Sequence, residues 1–499
     1  MASELVAKKR AERAARKARD ANPQLAAKAD PCKHIRLREW VPVREAPEGR
    51  RLRIVSWNML AQSLVRRELF PGSDCLKSKD RFPGLQAELL AYDWDIGCFQ
   101  EVDCIEEHGA VLRDHGYNFI YECGYDNKRH GLLIAWRSKS SSLTFGDPIH
   151  RRTVHYDDAR PLEIWEKTRA YRGETSLLQD DMTELVSGQD ARTSKKEILA
   201  NKCVSRLTRN IALIVALPCQ AGGGVIVATT HLFWHPRYEY ERARQAAILV
   251  QEILAFRLDP EHSEIADWPV VLAGDFNDQP HSPTYTFLTG KGVKYQSEIG
   301  RDLEDSMVVH TSVDEVNGMR TANFAKSVLD PGDDDRALGR YRTPVPNELL
   351  NIPKLTEFFD ADPFGKSGCL RSAYGHAHSL LSSNEAGTYF RVRYGLIQDR
   401  GRRSERYDIE FAPETSDPRR LESNEPMWTM YSSLFHLTLG MSQANADYIM
   451  LFPLADTGNS YPAITALLRL HPDAALKPGI PRKGVCSSDH VMLGAEILF

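Results

Sequence analysis

Short apolar runs rich in β-branched and aromatic residues recur along the chain at 52–57, 95–99, 131–136, 211–217, 225–229, 269–273 and 448–452. Most are near-continuous rather than alternating, as expected of strands buried on both faces or facing a sandwich core. A helical period appears between some of them. Ala246, Leu249, Val250, Ile253 and Leu254 recur at i, i+3, i+4, i+7 and i+8, with Arg242, Gln245, Gln251 and Glu252 outside the stripe. Strands mixed with amphipathic helices over this length predict a layered α/β or α+β domain.

Two polar stretches depart from that texture: 152–205, and much of 296–425, including Asp333-Asp334-Asp335 and an Arg-rich piece at 400–406. Strand signals resume after each, so both read as surface insertions in one domain; a small second domain within 300–425 is the other reading. Residues 1–50 are polar and charged and read as an extension, leaving 51–499 as the domain.

Composition narrows the class. With 42% hydrophobic and 26% charged residues, the chain has the balance of a soluble globular protein. Its formal net charge of −4 hides a basic segment, Lys8, Lys9, Arg10, Arg13, Arg16, Lys17 and Arg19 against Glu12 alone. Such a run reads either as a nuclear address or nucleic-acid arm, or as a solvated tail. Glu4, Glu12 and Asp20 are out of place in a mitochondrial presequence. Nine scattered cysteines with no CxxC pair argue for a reducing compartment and against a disulfide framework or structural zinc site. No signal-peptide core and no run of about 18 apolar residues appears. The expectation is an intracellular protein, nuclear, nucleolar or cytoplasmic, with no membrane partner.

Candidate chemistry gathers at the ends of the strand-like runs. The run 270–278 ends in Gly274 and then presents Asp275 and Asn277. In extended backbone, residues i and i+2 face one side, so this carboxylate and amide point together while Phe276 turns toward the core. The pair can orient a water and hold a phosphate oxygen, and it equally suits an Asx-rich turn. Asn58 follows the first run, Glu101 ends the second, Thr229, Thr230 and His231 end another, and Asp489-His490 precedes the last apolar run, 491–499. Each is weak singly, since an acid after a strand or a lone histidine is usually structural. Together, Glu101, Asp489 and Asn58 supply oxygen ligands without thiolates, which suits Mg²⁺ rather than zinc. That inventory fits metal-assisted hydrolysis of a phosphodiester or phosphomonoester.

The ordered series S-W-N-M-L (56–60), Q-E-V (100–102), H-G-L-L-I (130–134), T-H-L (230–232), G-D-F-N (274–277), D-Y-I (447–449) and S-D-H (488–490) resembles the endonuclease/exonuclease/phosphatase superfamily, over about 51–295 and 370–499. Asn58-Met59-Leu60-Ala61, Ser372-Ala373-Tyr374, Asn424-Glu425-Pro426 and Asp447-Tyr448-Ile449 resemble its deadenylase and RNA 3′-exonuclease branch. The run 230–236, followed by Tyr240-Glu241-Arg242 and Arg244-Gln245, looks most like the fungal Ngl-type RNA exonucleases.

The resemblance implies a DNase I-like four-layer α/β sandwich, two packed mixed sheets flanked by helices. It implies Glu101 as the principal Mg²⁺ ligand (Mn²⁺ substituting), completed by Asn58 and Asp489. Asp275 would activate the attacking water, and Asn277 and His231 would contact the phosphate. His490 would stabilise the pentavalent phosphorane, oriented by Asp447. Lys128, Thr229, Trp234 and Pro236 fall where substrate would bind, Trp234 as a stacking surface for single-stranded bases. Tyr238 and Tyr240 serve either stacking or packing.

Three departures bear on the substrate. Deadenylases carry Lys-x-Asp-Gly, Asn-Thr-His and Trp-Asp-Pro where this chain has Lys128-Arg129-His130-Gly131, Thr229-Thr230-His231 and Trp234-His235-Pro236. The resemblance therefore implies a Mg²⁺-dependent 3′-to-5′ exoribonuclease that trims single-stranded RNA ends, of ribosomal RNA precursors or poly(A)-type tails, and releases nucleoside 5′-monophosphates. No leucine-rich repeat offers a route into a deadenylase complex. The alternatives are a phosphoesterase of the same superfamily acting on DNA, lipid or small-molecule phosphates, and a catalytically silent RNA-binding scaffold.

Removing residues 1–20 is expected to weaken RNA binding at low salt, where phosphate contacts dominate, or nuclear accumulation. Unchanged behaviour in both assays would mark the basic run as a solubilising tail.

Overall fold

The computed structural model describes residues 34–43, 48–138, 143–159, 161–173, 208–235, 238–280, 282–290, 369–377, 446–455 and 460–498, with short pieces at 303, 306, 355, 395–396, 407–408, 425 and 429–430. The strands are β1 Trp40–Pro42, β2 Arg51–Asn58, β3 Ile96–Val102, β4 Tyr117–Glu122, β5 Gly131–Arg137, β6 His150–His155, β7 Ile211–Pro218, β8 Gly224–His231, β9 Val270–Asp275, β10 Arg371–Ser372, β11 Gly395–Leu396, β12 Tyr407–Asp408, β13 Asp447–Leu451, β14 Ala463–Leu468 and β15 Leu493–Leu498. One mixed sheet runs β1-β14-β15-β2-β3-β5-β4 and the other β10-β13-β9-β8-β7-β6; β11 and β12 form a separate ribbon.

The two large sheets pack face to face, with β2 and β3 against β9 and β8. Side-chain alternation explains why the sequence runs are apolar throughout. Leu213, Val215, Val227, Val271, Ala273 and Ile449 face the other sheet and join its core. Their neighbours Ile214, Ala228, Val270, Leu272 and Met450 face a second core beneath the helix Glu239–Arg257. Helices Ser78–Leu90 and Ile105–Asp114 place Leu85, Leu89 and Leu112 into the first core. The architecture is the α/β sandwich of two mixed sheets flanked by helices that the sequence predicts. Each fully buried aliphatic or aromatic side chain contributes roughly 1.5–3 kcal/mol.

Four differences from the sequence reading have physical causes. First, 34–43 belongs to the domain rather than to an extension: β1 pairs with β14, and the Arg38 guanidinium is buried in an ion pair with Glu88 at 2.8 Å. Its donors to the Met492 and Arg469 carbonyls disguise an internal segment as a polar one. Secondly, 152–205 begins inside the fold. β6 is the edge strand of the second sheet, and its only buried apolar residue is Val154, so its pattern is mute. Thirdly, 296–425 contains the edge strand β10. Lastly, the polar side of Glu239–Arg257 does not face water: Arg242, Gln245 and Gln251 are buried, and Thr168 of the helix Pro161–Tyr171 donates to the Gln251 carbonyl at 3.4 Å. The basic run 8–19 lies outside the described residues. Among the described residues no helix is long and apolar enough to cross a membrane.

β8 and β9 run parallel and meet closely where the site begins. A Cβ on Gly274 would lie 2.2 Å from the Thr230 carbonyl oxygen, so only glycine lets the strands pair at this level. Gly274→Ala is therefore expected to lower unfolding free energy by about 1–3 kcal/mol in urea denaturation. A wild-type midpoint would show that the approach is not a constraint.

Candidate active site

The two central parallel pairs, β2 with β3 and β8 with β9, end at the same mouth of the sandwich. Asn58 and Glu101 leave the first pair there, and His231 and Asp275 leave the second. β13 and β15 are antiparallel to β9 and β2, so they bring their beginnings to the same place. Asp447 opens β13, and Asp489-His490 precedes β15. Six separate stretches of chain thus converge.

Asp447 and Asp275 are directly opposed in the β13–β9 register, and both are buried. Burial and the facing Asp447 charge raise the Asp275 pKa, which His490, His231 and the Asn58 amide partly counter. The His490 Nδ1 lies 2.8 Å from Asp447 Oδ2, and its Nε2 lies 3.7 Å from Asp275 Oδ2. Burial works against a charged imidazole, yet the two carboxylates hold the His490 pKa well above its ordinary value. Trp57 Nε1 donates to the His490 carbonyl at 2.9 Å, and Thr429 Oγ1 accepts the amides of Ala446 and Asp447, each at 2.9 Å.

Asn58 crosslinks the two sheets. Its Nδ2 donates to Asp275 Oδ2 at 2.9 Å and to Glu101 Oε1 at 3.2 Å, while its Oδ1 accepts the Leu60 amide at 2.9 Å. In this arrangement its amide nitrogen is a donor strut between two carboxylates. Glu101 sits at a bulge in the β3–β5 pairing with φ +51°, and its Oε2 accepts the Ala61 amide at 3.1 Å. Burial pushes its pKa up, but His231, His130, the Asn58 amide and His490 more than offset this and hold it low. Asp489 is pushed up to about 6 by burial and by the Glu101 charge, against the pull of His490 and Arg81.

Asn277 does not continue β9. The strand ends at Asp275, and Asn277 turns into the left-handed region at φ +50°, its amide accepted by Asp275 Oδ1 at 2.8 Å. Its Nδ2 donates to the Leu232 carbonyl at 2.9 Å, tying the β9 turn to the end of β8. Phe276 is buried in the helix-side core, as expected. His231 Nε2 stands 3.7 Å from Asp275 and 3.9 Å from Glu101.

The substrate-side expectations fare unequally. Trp234 is 49% exposed on the loop after β8 and is free to meet a ligand. Pro236 lies outside the described residues. Tyr238 and Tyr240 are fully buried, which answers their open role in favour of packing. Thr229 is a correction. It points between the sheets, fully buried, and accepts from Gln100 Nε2 at 3.0 Å, so it cannot touch substrate. Lys128 commits its ammonium to the Arg209 carbonyl at 2.8 Å, bracing a turn that Asp157 holds through the Thr208 and Arg209 amides.

Two residues at the site escape the sequence reading. Arg81 is buried beneath it, donating to the carbonyls of Met59 at 2.8 Å, Leu60 at 2.6 Å and Ser487 at 2.8 Å. Nothing in a polar helical residue signals that position. His130 carries an imidazole whose pKa burial lowers to about 4, against the opposing pull of the Glu101 charge. Its signal was present in the H-G-L-L-I motif.

The donor set fits a hard cation. Crowded carboxylates with raised pKa values are what a divalent ion relieves. Among the described residues Asp447 Oδ1 has no hydrogen-bond partner, and one ligand atom from each of Asp275, Asp447 and His490 lies within 4.8 Å of the others. The hydrogen bond between His490 and Asp447 makes that trio a charge-coupled pair beside Asp275; Glu101, whose oxygens accept from Asn58 and Ala61, and Asp489 are the other carboxylates at the mouth.

A model described as the Endonuclease/Exonuclease/phosphatase family matches residues 55–449. A Schizosaccharomyces pombe protein named as a probable RNA exonuclease is 26% identical over 460 residues, 89% of this chain and 75% of that protein. RNA exonuclease NGL2 of Saccharomyces cerevisiae is 30% identical over 310 residues, 59% of this chain and 54% of its own length, so the match spans about half of that relative. The solved structure of ANGEL2, titled a 2′,3′-cyclic phosphatase, aligns over 93% of this chain and 98% of its own with a TM-score of 0.49 and 20% identity.

Because Thr229 bonds Gln100 rather than substrate, Thr229→Val is expected to lower stability by about 0.5–1.5 kcal/mol while turnover stays at the wild-type level. Thermal denaturation and a hydrolysis assay check this. Lost turnover at unchanged stability would return Thr229 to the substrate surface.

Proposed function

The chain belongs to the endonuclease/exonuclease/phosphatase family, and on that premise we propose that it is a Mg²⁺-dependent 3′-to-5′ exoribonuclease releasing nucleoside 5′-monophosphates. The observation that carries the reading is the convergence at one mouth of Glu101, Asp275 and Asp489 with the Asp447–His490 pair and the Asn58 strut. RNA as substrate is supported by the exonuclease names of the two fungal relatives and by the half-exposed Trp234 beside the site.

Glu101 and Asp489 would hold the divalent cation, with the Asn58 amide keeping Glu101 and Asp275 at fixed separation. When bound, it would supply Lewis-acid stabilisation of charge on the phosphate oxygens. Asp275 orients the attacking water and takes its proton; its raised pKa makes it a better base than an exposed aspartate. His490, held charged by Asp447, faces the phosphate and stabilises the added negative charge of the pentavalent transition state. His231 and Asn277 contact the non-bridging oxygens from the opposite sheet. Trp234 offers a face on which the terminal base stacks, without selecting a base by hydrogen bonds. Trimming of ribosomal RNA precursors or poly(A)-type tails in the nucleus or cytoplasm is the corresponding cellular role.

The test uses 5′-labelled single-stranded RNA with Mg²⁺, with and without chelator, on the protein and its Glu101→Ala variant. A ladder shortening by single nucleotides is expected, with turnover reduced about 10²–10³-fold or more in the variant and abolished by chelator. Internal fragments would replace the reading with an endonuclease, and intact RNA bound tightly would replace it with a scaffold.

A further inference from the structure

The start of the helix Glu239–Arg257 is built differently from its remainder. From Ala246 to Phe256 it buries mostly apolar side chains, but between Glu241 and Gln245 it buries Glu241, Arg242, Arg244 and Gln245. Buried ion pairs add little stability over apolar residues of the same volume, so their retention asks for a geometric reason.

Two of these side chains end on the loop that presents Trp234. Gln245 Oε1 accepts the Phe233 amide at 3.1 Å, while its Nε2 donates to Glu241 Oε1 at 2.8 Å and Thr208 Oγ1 at 3.2 Å. Arg242 Nη1 donates to the His235 carbonyl at 2.6 Å. Backbone groups on both sides of Trp234 are therefore held from beneath, while the indole between them stands half exposed. Arg242 Nε also lies 3.2 Å from Asp278 Oδ2, in a pair with both partners buried. Asp278 follows Asn277, and its carbonyl accepts the Tyr448 hydroxyl at 2.8 Å, next to Asp447. One guanidinium thus links the Trp234 loop to the turn carrying Asp275 and Asn277.

We propose that Arg242 and Gln245 are positioning residues that aim Trp234 at the nucleobase of the RNA's terminal nucleotide and fix its distance from the phosphate-contacting turn. The proposal deepens the function given above and rests on its stacking role for Trp234. Without these two contacts the loop keeps its tryptophan but loses the geometry in which a base can stack while its phosphate meets Asn277 and His231.

The test compares kcat/KM of the full chain with Mg²⁺ on two 5′-labelled single-stranded RNAs. They are identical except that one ends in a 3′-terminal abasic nucleotide. Wild type is expected to prefer the base-bearing RNA by about tenfold or more, the range of one base–aromatic stack. Trp234→Ala brings that ratio close to one. Gln245→Met and Arg242→Met each bring it most of the way there, and Arg242→Lys, which keeps a donor for the His235 carbonyl, restores part of it. A merely structural role would slow both RNAs alike and leave the ratio untouched. Should methionine unfold the protein, Gln245→Asn, one methylene short of Phe233, carries the same expectation. A wild-type ratio in the folded Gln245 and Arg242 variants, with the ratio lost in Trp234→Ala, overturns the positioning role alone. A wild-type ratio in Trp234→Ala removes the stacking reading and the proposal with it.

Discussion

Asp275 and Asp447 stand opposite each other across β9 and β13, both shut away from water. Two buried carboxylates at that spacing repel, and neither can hydrate. The surrounding residues answer this constraint. His490 lies against Asp447, the Asn58 amide donates to Asp275, and His231 lies within 4 Å of Asp275. A site that must gather negative charge to work on a charged phosphate is held together by the cationic and amide groups that the gathering demands.

Part of the backbone strain lies at the same place. Leu60, Glu101 and Asn277 all adopt positive φ, a conformation that costs a non-glycine residue about 1–3 kcal/mol. Each deviation does local work. Leu60 turns its amide back to Asn58, Glu101 leaves the β3 ladder to face the mouth, and Asn277 folds its side chain onto the Leu232 carbonyl. The two apolar cores on either face of the second sheet supply the stability against which this strain is held.

Legibility in the sequence tracked burial on both faces. The seven apolar runs mark β2, β3, β5, β7, β8, β9 and β13, all interior strands of the two sheets. All four sheet edges, β1, β4, β6 and β10, went unmarked, because an edge strand has one flank in solvent and carries mixed side chains. The same blindness assigned 34–43 to an extension, since Arg38 and its partner Glu88 read as polar until their pairing is seen. Within the site, Glu101, Asp275, Asp489 and His490 stand at strand ends where sequence can find them. Thr229 stands there too, on the same face of β8 as His231 but two residues deeper, and so lies shut between the sheets against Gln100.

The sequence by itself determined all the interior strands but β14, the family to which they belong and the acids and imidazoles at their ends, because most buried strands and their terminal polar residues leave a local pattern. Only the tertiary structure decided which of those groups meet. The opposition of Asp275 to Asp447 is a matter of register between strands far apart in the chain. The strut made by Asn58 and the hold of Arg242 and Gln245 on the Trp234 loop are long-range or buried hydrogen bonds. The pair Asp275 and Asn277, which extended spacing alone would aim together, is instead an acid closing a strand and an amide folded back beside it. Spacing along a chain fixes which face a residue can take only while the strand continues, and this strand stops at Asp275.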